Sequence, residues 1–172
     1  MEKKYEEICH KGVILQKAID ALDYPFYVIN MDTYEIVIAN DTVGIDLKSG
    51  KKYRCHEVTH RNSKPCNSEK DPCPIAEIRK TGKSVIVEHI HFDKDGNKRN
   101  VEVHAHPIFD ENGKLVQMIE YSIDVTERKK IEEEIEKHAQ ELKKMNDLMM
   151  GRELKMVELK REIDVLKREK NN

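Results

Sequence analysis

Tryptophan is absent and phenylalanine occurs only three times in this chain. The few aromatics do not interleave with basic clusters, so the stacking platforms that hold single-stranded nucleic acid are missing. Charge of one sign is also lacking. Thirty-one Lys and Arg stand against 33 Asp and Glu, a net charge of −2, which leaves no basic field for nucleic acid. No apolar run approaches the roughly 18–20 residues of a membrane span, and the opening Met1 to Gly12 has no apolar signal core. A soluble, cytoplasmic protein without membrane insertion is expected. Gly-x-Gly-x-x-Gly, Gly-x4-Gly-Lys-Ser/Thr and Gly-x-Ser-x-Gly are all absent, so neither a phosphate-cradling loop nor a hydrolase nucleophile elbow is expected, and the chain does not read as an enzyme.

What is present is charge in quantity. Charged residues make up 37% of the 172, apolar ones 38%, and mean hydropathy is −0.76. That is too polar for one compact core and implies a single domain joined to a solvated element.

Ile8, Leu15, Ile19 and Leu22 recur at helical spacing, predicting a short amphipathic helix from Tyr5 to Leu22 that Pro25 ends. Phe26 to Ile29 and Tyr34 to Ala39 read as an antiparallel strand pair. From Asn40 to about Thr81 the pattern loosens, and one helix, Ile75 to Lys80, stands out, with Pro74 in its first turn and Gly82 after its end. Ser84 to Phe92, Arg99 to Phe109 and Leu115 to Val125 complete a three-strand meander around turns at Asp95 to Asn97 and Asp110 to Gly113. Strands with helices gathered to one side make the class α+β.

Asp124 and Glu127 form an acidic variant of a capping box. Beyond them runs a proline-free stretch in which Ile131, Ile135, Leu142, Met145, Met149, Met156, Leu159, Ile163 and Leu166 share one three-four register, broken only at His138 and Arg152. This is the seam of a coiled coil, and a homodimer through this C-terminal helix is expected. A lone helix folded back on the domain is the alternative.

Four pieces then fall into a known order: Ala21-Leu22-x-x-Pro25-Phe26, Ala39-Asn40, His106-Pro107-Ile108-x-Asp110-x-x-Gly113, and Asp124-Val125-Thr126-Glu127-Arg128. Together, over about Leu15 to Arg128, the chain resembles a PAS domain. Met145 to Met156 is similar to the helical connector that follows such domains in bacterial and archaeal signalling proteins. The resemblance implies a five-stranded antiparallel sheet with flanking helices, a ligand or cofactor pocket on the helical side, and a dimeric output helix. Where ordinary PAS domains have helices, this chain has Cys55-His56-Glu57-x-x-His60-x4-Pro65-Cys66-x6-Cys73-Pro74, which resembles a cysteine-bearing PAS subgroup.

Thiolate and imidazole suit soft and borderline metals, and structural disulfides are uncommon in the cytosol. Cys55, His60, Cys66 and Cys73 are therefore candidate ligands for a metal ion or iron–sulfur cluster, with His56 as a substitute for His60. Their spacings of four, five and six residues are looser than a zinc ribbon's. A reversible Cys66–Cys73 disulfide and plain buried thiols remain as alternatives. Cys9 reads as a bland thiol. Haem and flavin are not expected, and no Cys-x-x-Cys-His motif exists for covalent haem.

A hairpin turning at Asp95-Gly96-Asn97 would set His89 opposite Glu102 and Val87 opposite His104. Ile86, Ile90, Val101, Val103 and Ala105 would then line the core, leaving His89, His91, His104 and His106 on the outer face as solvated or interface-packed rings, a second metal site or a pH sensor being the alternatives.

The expected organisation is an N-terminal cap over 1–14, a sensor domain over 15–128 and a dimeric connector over 129–172. The expected function is detection of redox state, metal or a small ligand, relayed through Asp124, Thr126 and Arg128 to the coiled coil and on to a protein signalling partner or output domain. An iron–sulfur or dithiol electron carrier and a ligand-free assembly adaptor are the competing readings. Whether the chain is a fragment of a sensor kinase stays open.

Overall fold

The three longer strands of the sheet alternate what they bury, while the first strand buries three residues in succession. The computed structural model describes residues 2–66, 71–93 and 95–170. In it β1 (Phe26–Asn30), β2 (Ile36–Ala39), β3 (Val85–Phe92), β4 (Lys98–Phe109) and β5 (Leu115–Asp124) form one antiparallel sheet in the order β2-β1-β5-β4-β3. Tyr27, Ile29, Ala105 and Met118 point to the same face and are buried there. Helices α2 (Cys55–Thr59) and α3 (Pro74–Thr81) supply the other half of this core through Cys55, Cys73, Ile75 and Ile78. Fully burying an isoleucine such as Ile75 or Ile78 stabilises the fold by about 1.5–3 kcal/mol.

Pro74 opens α3, and Gly82, at φ 63°, closes it with its N–H on the Ile78 carbonyl. Arg79 on this helix donates to the Met31 carbonyl and pairs with Asp32 at 3.6 Å, which ties α3 to the β1–β2 turn. The helix α1 (Glu2–Asp20) precedes the sheet; Ile8, expected on its apolar stripe, has a side chain outside the described set, as do Met1, Asn171 and Asn172, which the expected domain bounds include. Asn40, buried at the end of β2, holds this entrance together. Its amide donates to the Ile19, Leu22 and Tyr24 carbonyls and its oxygen accepts the Phe26 N–H.

Two expectations are corrected. The stretch after Asn40 is more ordered than expected: short 3₁₀ turns at Asp41–Val43 and Leu47–Ser49 precede α2, where Glu57 accepts the Arg54 N–H at 3.3 Å. The β3–β4 register also differs by one residue. His89 pairs with Val101 and Val87 with Val103, because the connection is a five-residue loop built on Asp93. The Asp93 carboxylate accepts the N–H groups of Asp95 and Asn97, and its own N–H donates to the Asn97 carbonyl. A one-residue shift reverses a strand's faces. His89 and His91 consequently turn inward, while Ile86 and Ile90 are 60% and 46% exposed.

The chain divides into two units, residues 1–127 and 128–172. In the second, α4 (Thr126–Lys170) continues as one unbroken helix. The apolar residues expected on its seam, from Ile131 to Leu166, are exposed. No helix among the described residues is long and apolar enough to cross a membrane.

Candidate functional site

The inner face of the sheet carries chemistry at both ends of the helical layer. At the α3 end, Cys73 is the N-cap residue of the helix, and Cys66 packs beside it against the core. The neighbouring Cys66 thiol, helped by the amides of the first helical turn and by Arg79, brings the Cys73 thiol down to about 6. The Cys73 sulfur and burial together raise Cys66. Cys55, first residue of α2, is buried and raised by that burial and by Glu120. All four cysteines are free thiols, and Cys9 is exposed.

Beneath the thiols lies Glu120, on the inward parity of β5 with Met118 and Ser122. Burial pushes its carboxyl up to about 7, and the charge of Cys73 adds to this. Its cross-strand partner Tyr27 is raised for the same reason, burial first and Glu120 second. The Tyr27 and Ser122 hydroxyls are close enough to influence each other, yet neither makes a hydrogen bond of good geometry. Both border a cavity of about 1020 Å³, bounded on the helical side by Val43, Ile45, Tyr53, Val58 and Thr59 and on the sheet side by His91 and Val101. Buried hydroxyls without partners are what a polar ligand or ordered water would satisfy.

At the α2 end, His60 meets His89 and His91. Ring centroids lie 5.0 Å and 4.7 Å from His60 and 5.6 Å between the two strand histidines, and one nitrogen from each falls within 4.8 Å of the others. His60 reaches β3 because Arg61 lies over the Phe92 ring and donates to the Asp93 carbonyl. Gly96, at φ 88°, leaves room for that guanidinium, 3.1 Å from where a Cβ would stand. Burial lowers all three rings; His60, further opposed by His89, falls to about 4.

Of the four residues expected to share an ion, the structure thus brings Cys55, Cys66 and Cys73 together, while His60 joins the strand histidines. His56, the expected substitute, is buried edge-on to Tyr34. His104 and His106 stay on the outer face, stacked on Tyr121. Among the expected relay residues, Asp124 accepts the Thr126 N–H at 2.8 Å and lies 3.8 Å from Arg99. The Thr126 hydroxyl accepts the Asn100 N–H at 2.9 Å, which pins the start of α4 to β4. Arg128 pairs with Glu132 at 3.7 Å on α4. Glu120 was missed in the sequence; its parity with Met118 and Ser122 was the available signal.

The family model described as PAS domain matches residues 24–127. Among solved structures, an RNA-binding light-oxygen-voltage receptor is similar with a TM-score of 0.59 and 21% identity, over 75% of this chain. The chain spans 37% of that receptor's length. The PAS domain of an HTR-like protein from Haloarcula marismortui is similar with a TM-score of 0.51 and 14% identity, over 72% of this chain and 99% of that one. Both likenesses concern the fold. No curated protein matches in sequence.

Proposed function

The chain belongs to the PAS domain family, and from that premise we propose that it is a sensory signal-transduction module whose input is thiol redox state, read by Cys66 and Cys73, and whose output is a coiled-coil dimer of α4. The observation that carries the redox reading is the juxtaposition of Cys66 and Cys73, packed against one core at the start of α3. It supplies a nucleophile and a resolving thiol in one place.

The chemistry balances with a small-molecule disulfide as oxidant. The Cys73 thiolate attacks one sulfur of that disulfide, forms a mixed disulfide and releases one thiolate. Cys66 then loses its proton and attacks the Cys73 sulfur, closing the Cys66–Cys73 bond and releasing the second thiolate. Two electrons pass to the external disulfide, and the proton leaves to its products. Closure places a covalent bond at the first turn of α3, whose Ile75 and Ile78 are fixed in the core. It also removes the negative charge beside Glu120. Glu120 lies on β5, which ends at Asp124, and Thr126 begins α4. Asp124, Thr126 and Arg128 are the proposed relay. The exposed seam on α4 supports pairing, since a charged helix of this length gains its stability from a partner.

Incubation with glutathione buffers of graded potential, followed by alkylation and peptide mapping, tests the input. A Cys66–Cys73 cross-link with Cys55 still alkylatable is expected. Thiols that persist in fully oxidised glutathione, or that are blocked by a tightly bound ion, would overturn the redox reading. For the output, sedimentation should give a dimer for the full chain and a monomer after truncation at Arg128; a truncated dimer would remove α4 as the main contact.

A further inference from the structure

We propose that His60, His89 and His91 form a three-imidazole site for a divalent first-row transition ion, with zinc as the natural occupant. The site is separate from the thiol pair and independent of the redox reading.

Three observations carry it. The first is convergence. One nitrogen from each ring lies within 4.8 Å of the others. Two nitrogens bound tetrahedrally at roughly 2.0–2.1 Å stand about 3.4 Å apart, a contraction that small ring rotations supply. His89 and His91, two apart on β3, necessarily share its inner face, and the Arg61 clasp on the β3–β4 loop delivers His60 to them.

The second is preparation behind the rings. His89 Nε2 donates to the Pro72 carbonyl at 2.8 Å, which leaves its Nδ1 lone pair for an ion. Metal-binding imidazoles are oriented in this way, the far N–H on a carbonyl and the near nitrogen on the ion. The Ile90 backbone lies beside the His60 ring. Asp71 lies close enough to favour positive charge at both His60 and His89.

The third is access. His60 borders a cavity of about 330 Å³ that Cys66 and Asp71 also line, and His91 borders the larger one. Three protein ligands beside open space leave a coordination position for water or a small anionic ligand, unlike a closed four-ligand structural site. A bound ion would join the end of α2, where His60 is the C-cap, to β3, giving the domain a second input.

Cobalt(II) is the probe, titrated into the full-length reduced protein under anaerobic conditions. One equivalent should bind with visible d–d bands and no thiolate-to-cobalt charge-transfer band, and zinc should displace it. H60Q should weaken binding by about 100-fold or more, beyond the roughly 10–100-fold that changes behind the ligands bring. C66S should leave affinity within about twofold. H91Q should act as H60Q does; if it fails to fold, H60Q, at the solvent side of the cluster, carries the test with circular dichroism as the fold control. A charge-transfer band that C66S abolishes, unchanged affinity in H60Q, or no cobalt binding would each overturn the proposal.

Discussion

The sheet unit and α4 solve opposite problems with the same residue types. In residues 1–127, Ile29, Ile75, Ile78 and Met118 are fully buried against one another. On α4, Ile131, Leu142, Met149 and Ile163 are about half exposed or more. The first region draws stability from its own core; the second carries an apolar seam that is exposed along the helix, the surface proposed above for pairing. Polar chemistry follows the same divide, since Cys55, Glu120 and the three inward histidines take their perturbed character chiefly from burial in the sheet unit.

Substitutions sharpen this contrast. The largest effect is expected from I78A, which empties a fully buried site and should cost about 2–5 kcal/mol in denaturant unfolding of the sheet unit. Next comes E120Q. The Glu120 carboxyl titrates near 7 when folded against 4.5 as the reference, so the folded state holds an extra proton between these values. Stability from this group is full below about 4.5 and is lost as pH rises to about 7, a total of roughly 3 kcal/mol. E120Q should therefore gain on wild type across that window and level off above it. A flat difference between the two pH–stability curves would show that Glu120 does not carry this burden. N40A should cost about 1–3 kcal/mol, because it strands the backbone groups that the buried amide serves. The smallest effect tests the other region: L142A should move unfolding of the sheet unit by less than about 0.5 kcal/mol while weakening self-association in sedimentation. An equal effect of L142A and I78A on that unfolding would break the comparison.

Much of the fold was legible because its signals are local. The meander shows in the alternation of Val101, Val103 and Ala105, the α3 boundaries in Pro74 and Gly82, and α4 in its proline-free three-four register. Cys55–Thr59 was not read as helix, since one turn is too short to display a period. The β3 register differs because Asp95-Gly96-Asn97 signals a turn centred one half-step away, whereas the carboxylate of Asp93 sets the loop length and so decides which face Ile86 and Ile90 take. At the candidate site, the cysteines announced themselves by type. The pairing of His60 with β3 did not, because it is made by Arg61, Phe92 and Gly96, which are distant in sequence and carry no motif.

That same loop gives β3 two latent identities. Deleting or inserting one residue between Asp93 and Asn97 would turn Ile86 and Ile90 toward the cavity and set His89 and His91 in solvent, exchanging an imidazole-lined wall for an aliphatic one. A single codon thus separates two chemically distinct cavity walls on one scaffold, an evolutionary step that requires no change to any strand.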